Sequence, residues 1–201
     1  MKPGRRALGV AASDRDQWSY LAGAVVRASR VVDGFVFGRC TVGGTDATAA
    51  VIDMIDRLDR EDIQYLLVAG IAPAWFNVLD LRAIAEATGL PTLSVSFEAS
   101  PGLEPAIREA FADEPQRRSA ASSGGQRPRD ATAVDERLAT YRAQPDRHEL
   151  SVNDERVFVR SVGFDGDATD VVRAYTPSGG RPEPLRVARL AARAVGERRA
   201  D

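Results

Sequence analysis

Two apolar runs and one stretch with a period of two fill the first forty residues. Arg5 to Ala12 holds a short apolar run, and Ser13-Asp14-Arg15-Asp16 is a polar turn. Trp18 to Ala28 is a second run. From Val31 to Val42, Val32, Gly34, Val36 and Gly38 alternate with Asp33, Phe35, Phe37 and Arg39. The two apolar runs and the alternating stretch predict three strands, with Ser29-Arg30 as the turn before the third. The period then changes. After the cap signal Thr45-Asp46, residues Val51, Met54, Ile55 and Leu58 keep helical spacing, which predicts an amphipathic helix to about Arg60. An apolar run from Tyr65 to Val68 next reaches Gly70 and Pro73. Phe76, Leu79, Ala83, Ile84 and Ala87 then fall on one helical stripe, and Gly89 and Pro91 precede a second apolar run ending at Phe97. Strand, turn, helix, turn, strand is a βαβ unit, the mark of a parallel sheet covered on both faces. Ligands of such sheets sit beyond the carboxyl ends of the strands, here residues 69–77.

Further helices are predicted for Leu103–Ala112 and Ala133–Tyr141, and a strand for Val157–Val162. Asp165 would cap a helix lined by Ala168, Val171, Val172 and Tyr175. A last helix, opened by Pro182-Glu183-Pro184, carries Leu185, Ala188, Ala192 and Val195. Residues 116–130 are rich in Arg, Ser, Gly and Pro, which predicts a flexible insert. Its Arg117, Arg118, Arg127 and Arg129 are candidate polyanion contacts, with a solvated loop the simpler reading. The expectation is a single α/β domain over residues 1–201. Its ribonuclease H-like mixed sheet has three antiparallel strands, then parallel βαβ units, then an α/β tail. Periodicity alone equally admits another mixed α/β sheet.

Composition narrows the chemistry. A net charge of −2 gives no overall field toward nucleic acid. Lys2 is the only lysine among 27 lysines and arginines, which fits either a GC-rich genome or bidentate phosphate recognition by arginine. Cys40 and His148 are each the only residue of their type, so a zinc site built from several Cys and His is excluded and a Ser-His-Asp or Cys-His centre is not expected. No apolar run is long enough to span a membrane and the N-terminus lacks a signal-peptide core, so a cytoplasmic location is expected.

Several ordered segments carry a resemblance. They are Leu8-Gly9-Val10, Val42-Gly43-Gly44-Thr45-Asp46-Ala47-Thr48, the stretch from Gly70 to Asp80, Gly89-Leu90-Pro91, and Pro182-Glu183-Pro184-Leu185-Arg186-Val187-Ala188-Arg189-Leu190. Together they resemble the DUF99 (UPF0215) family, mostly archaeal uncharacterised proteins related to endonuclease V, over nearly the whole chain. The resemblance implies an endonuclease V-like fold and nucleic acid as a partner. In an active member it would imply carboxylates holding magnesium, which takes oxygen ligands. This chain departs from the family at the places where that charge would stand. Ala11-Ala12-Ser13 replaces an Asp-Asp-Gly, Gly43 replaces the first Asp of the signature, Ala69 stands where endonuclease V carries an Asp before Gly70, and Arg189 replaces a histidine.

Three functions follow as expectations: a catalytically degenerate nucleic-acid- or nucleotide-binding domain, an active magnesium-dependent endonuclease with a rearranged site, or a small-ligand or protein-interaction module. Catalytic candidates for the second are Asp14, Asp46, Asp80 and Glu98, with Asp14, Asp46 and Asp80 as metal ligands. Each has a plainer role: turn residues for Asp14 and Asp16, helix caps or first-turn charges for Asp46 and Asp80, a strand end for Glu98. Trp75, Asn77, Arg186 and Arg189 are the candidate nucleic-acid contacts. Asn77 is otherwise a cap of the helix that follows it, and Trp75 a seal on the sheet end. Cys40 is expected in the core.

Overall fold

A hairpin starts the fold. Strands β1 (Arg6–Arg15) and β2 (Trp18–Arg27) pair antiparallel around Asp16-Gln17, and β3 (Val32–Thr41) adds to β2. The computed structural model describes residues 1–112, 131–164 and 168–198. Helix α1 (Ala47–Leu58) follows β3. Then come β4 (Ile63–Ala69), the short turn α2 (Pro73–Phe76), α3 (Leu81–Thr88), β5 (Thr92–Ser96), α4 (Glu104–Ala112) and α5 (Ala131–Arg142). The hairpin β6 (His148–Val152) and β7 (Glu155–Val162) precedes α6 (Ala168–Tyr175) and α7 (Glu183–Arg198). The sheet order is β3-β2-β1-β4-β5-β7-β6, with β1, β4 and β5 mutually parallel and the other pairs antiparallel. This is the expected mixed sheet.

Strand alternation decides what each face carries. Leu8 and Val10 of β1 and Leu21 and Val25 of β2 bury against α1 and α3, through Val51, Met54, Leu81 and Ile84. On the other face β1 presents Ala7, Gly9 and Ala11 opposite Val26, Ala24 and Ala22 of β2. That row of small residues admits α7 to close range. A Cβ at Gly9 would lie 2.3 Å from the carbonyl carbon of Pro184, so only glycine fits there.

Two expectations fail in instructive ways. The predicted continuous helix through Phe76 and Leu79 does not exist: Ala74, Trp75 and Phe76 all have positive φ (52°, 53° and 61°), and regular helix starts only at Leu81. Asn77 N–H donates to Pro73 O at 3.0 Å and Leu79 N–H to Ile71 O at 2.8 Å, which closes residues 71–79 into a tight loop. The strand β6 was not expected. It lies at the sheet edge, buries only Val152 fully, and turns into β7 through Asn153-Asp154, both with positive φ (50° and 65°), as a two-residue hairpin turn requires. The insert 116–130 and the cap Asp165 lie outside the described residues.

Candidate functional site

The parallel pairing of β1 and β4 runs to Val10 opposite Val68, which brings Ala11 and Ala69 side by side at the carboxyl rim. Ala11 is 3% exposed and clusters with Ala24, Val26 and Ala188 of α7, and Ala69 and Val187 pack against the same group. Three methyl groups from three elements therefore meet where the resemblance would place metal ligands. Magnesium needs oxygen donors. Ala11, Ala69 and Gly43 offer methyl groups and a hydrogen, so these residues do not fit the ion. Among the described residues no group of three His, Cys, Asp or Glu is placed to hold a metal.

The acid retained in the Val42–Thr48 segment, Asp46, belongs to the β3–α1 corner. Asp46 precedes α1 but makes no side-chain cap to it. Its oxygens instead accept from Thr41 N–H (3.0 and 3.1 Å), Thr41 Oγ1 (2.9 Å) and Asn77 Nδ2 (2.7 Å). Gly44 leaves the space for this, since a Cβ there would lie 2.7 Å from Asp46 Oδ1. Burial pushes the Asp46 carboxyl up, but the bonds from Asn77 and Thr41 outweigh it and hold the carboxyl below its ordinary range. Asn77 is fully buried. It also donates to Thr41 O (2.9 Å), and its Oδ1 accepts from Ala47 N–H (3.0 Å). Asn77 is thus the cap of α1, not of the helix that follows it, and joins the 71–79 loop to the β3–α1 corner.

The remaining carboxylates disperse. Asp14 lies on the α1 face of β1, opposite to Ala11, and accepts from Ser19 Oγ at 2.6 Å. Asp14 and Asp46 both bear on Cys40: burial first, then these two charges, push the thiol up to about 12. Asp16 is a hairpin-turn residue with φ of 48°. Asp80 caps α3 by accepting from Arg82 N–H (3.0 Å) and Ala83 N–H (3.1 Å). Glu98 is exposed beyond β5.

Of the proposed nucleic-acid contacts, Trp75 stands out of the strained loop at 43% exposure, its ring 4.9 Å from that of Phe111. Arg137 lies over Phe111 at 4.3 Å and donates to the carbonyls of Gly43 and Gly44, tying α5 to this corner. Arg186 is committed to a bidentate pair with Glu183 (2.6 and 2.7 Å). Arg189 is exposed, with no ion pair among the described residues. Sequence reading missed Arg181, whose guanidinium lies 4.4 Å over the Phe97 ring at the end of β5. Its only local signal was its place between Gly180 and Pro182, which says nothing of Phe97.

Known proteins resemble this chain in sequence and in fold. A UPF0215 protein of Thermococcus kodakarensis is 32% identical over 178 residues, 87% of this chain and 80% of its own length. A protein of unknown function from Archaeoglobus fulgidus superimposes with a TM-score of 0.75 at 23% identity, covering 94% of this chain and 97% of the other. Endonuclease V of Streptomyces avermitilis superimposes with a TM-score of 0.61 at 17% identity, covering 99% and 84%. Endonuclease V of Ciona intestinalis, solved with a 24mer DNA containing an inosine, gives 0.57 at 11% identity, covering 96% and 86%. The fold is therefore endonuclease V-like and ribonuclease H-like. With residues 3–133 and 129–196 matching its pattern, the chain belongs to the Endonuclease dU family.

Proposed function

We propose that this chain binds nucleic acid on an endonuclease V-like scaffold without hydrolysing it. The packing of Ala11 against Ala188, with Ala69 beside them, carries this reading, because it puts methyl groups where hydrolysis would need acids. Trp75, exposed on its strained loop at the same end of the sheet, supplies a face on which a base can stack. The low net charge confines attraction for phosphate to local groups. The test incubates the protein with oligonucleotides containing one deoxyuridine or one inosine, with magnesium or manganese. The expected result is binding by fluorescence anisotropy that weakens with salt, and no cleavage above a protein-free control. Affinity that ignores salt would instead favour a role outside nucleic acid.

The family's name favours a second reading, cleavage beside deoxyuridine by a rearranged site. Asp14 and Asp46 both lie close enough for their charges to act on Cys40, which is the local support for that reading. Metal-dependent cleavage abolished by Asp14→Asn or Asp46→Asn would establish it and overturn the first.

A further inference from the structure

We propose that Arg181 and Arg189 form a phosphate-binding subsite for the backbone of a nucleic acid at the carboxyl rim, on the face where α7 packs. The inference rests on the nucleic-acid reading above and names the groups that would hold the strand.

Eight of the described arginines pair with acids, among them Arg27 with Asp33, Arg60 with Asp62, Arg142 with Glu104, Arg156 with Glu149, and Arg186 with Glu183. Arg181 and Arg189 are among the described arginines without an acid partner, and both belong to the segment that packs at this rim. Neither has an ion pair or hydrogen bond to another described residue, and they stand close enough for the charge of Arg189 to act on Arg181. Burial, and then that like charge, lower the proton affinity of Arg181, and no described carboxylate opposes them. Phe97 fixes the guanidinium in place. Its ring packs into the core cluster that includes Leu93, Val95 and, at its edge, Ala69, and it presents its face to Arg181. Arg189 follows Ala188, whose methyl contributes to the alanine cluster with Ala11. Two planar donor forks thus border the same alanine-lined rim. A guanidinium offers paired N–H groups that match two phosphate oxygens, and an anion between two like charges removes their repulsion. Positive charge is present there on side chains, where the resemblance would have put it on an ion.

The test compares the wild type with R181Q, R189Q and the double variant. The first probe is a fluorescent single-stranded oligonucleotide containing one deoxyuridine, titrated across a salt series. Arg189 is exposed, and half-buried Arg181 has no hydrogen bond to another described residue to lose, so unchanged circular dichroism and nearly unchanged melting are expected. Each single change should weaken binding about tenfold. Removing one phosphate-binding guanidinium should also flatten the slope of log affinity against log salt by ~0.7, so by ~1.4 in the double variant. Wild-type affinity and slope in the double variant would overturn the subsite while leaving nucleic-acid binding intact. If the wild type binds no oligonucleotide, the nucleic-acid reading fails, and the second probe decides the subsite. That probe is inorganic phosphate, titrated while the Nε–H resonances of Arg181 and Arg189 are followed by NMR and assigned from the single variants. Movement of both resonances upholds a phosphate site, and no movement overturns it.

Discussion

Two corners of the same sheet treat charge in opposite ways. At the β3–α1 corner, Asp46 keeps its carboxylate by giving its oxygens to Thr41 and Asn77. At the β1–β4 rim, Ala11, Ala69 and Ala188 close over the place with methyl groups. The difference teaches that an acid retained in such a scaffold is not by itself a sign of retained chemistry. A carboxylate engaged by three donor groups is a structural part, holding a loop to a strand. The groups left uncommitted lie elsewhere, on Trp75 and on the arginines of the rim.

The largest effect expected from breaking the polar corner comes from Asn77→Ala. The side chain is fully buried and makes three hydrogen bonds, to Thr41 O, Asp46 Oδ1 and Ala47 N–H. Its removal strands a helix N–H and a strand carbonyl and frees the 71–79 loop, at a cost of about 3–4 kcal/mol in urea unfolding. A loss below about 1 kcal/mol would mean that the corner is not held by this residue.

The sharper version places the same acid in both corners and reads the sign of its pH dependence. Ala11→Asp would bury a carboxyl among methyl groups and cost about 3 kcal/mol at neutral pH. Burial raises its folded-state pKa above the unfolded value, so the folded state holds the proton more tightly. The loss should then shrink as pH falls toward the ordinary carboxylate range, about 4. Asp46 has the opposite linkage. Its folded pKa lies below its unfolded value, so its stabilisation is present above the ordinary range and disappears as pH falls through the folded pKa. Asp46→Asn replaces an acceptor with an amide facing Asn77 and Thr41. It should cost about 1–2 kcal/mol at neutral pH and progressively less in acid. Asp33, held at about 2 by Arg27 and Arg6, contributes its own acid sensitivity, so the difference between wild type and Asp46→Asn isolates Asp46. Both variants thus recover relative to wild type in acid, one by gaining a proton on a buried acid and the other because wild type loses its advantage. The Ala11→Asp loss should shrink between its raised folded pKa and about 4, whereas Asp46→Asn converges on wild type only below about 4, where wild type gives up the Asp46 contribution. Parallel curves would show that the rim is wet and polar after all.

Much of this was legible in the residues. The apolar runs carry β1 and β2, buried on both faces over most of their length, and the alternation from Val31 to Val42 carries β3. The run from Tyr65 to Val68 carries β4 for the same reason. Strand β6 escaped because an edge strand burying one residue leaves almost no period to read. The break after Trp75 escaped because Phe76, Leu79, Ala83, Ile84 and Ala87 keep helical spacing, while the force that breaks the helix is the anchoring of Asn77 to Thr41 and Ala47, far away in the chain. The empty acid positions were legible only through the resemblance, since an alanine in a buried strand is ordinary by pattern. Arg181 was illegible because its role depends on Phe97, a partner that only the closed sheet brings near.

The smallest effect on stability should come from the loop that presents Trp75. Its backbone at φ 53° and ψ 71° is left-handed, which costs an ordinary side chain about 1–2 kcal/mol and a glycine almost nothing. Trp75→Gly removes that strain. It also removes the ring contact with Phe111, about 0.5–1.5 kcal/mol, and adds freedom to the unfolded chain, about 0.4–1 kcal/mol. These contributions nearly cancel, so the unfolding free energy should stay within about 1 kcal/mol of wild type. Oligonucleotide affinity should nevertheless fall by about 1–3 kcal/mol, the worth of one stacked base. A variant that binds as well as wild type would reduce Trp75 to a seal on the end of the sheet. A variant that keeps its stability but loses binding would mean that the strained backbone serves to hold an indole out in solvent, where an incoming base can reach it.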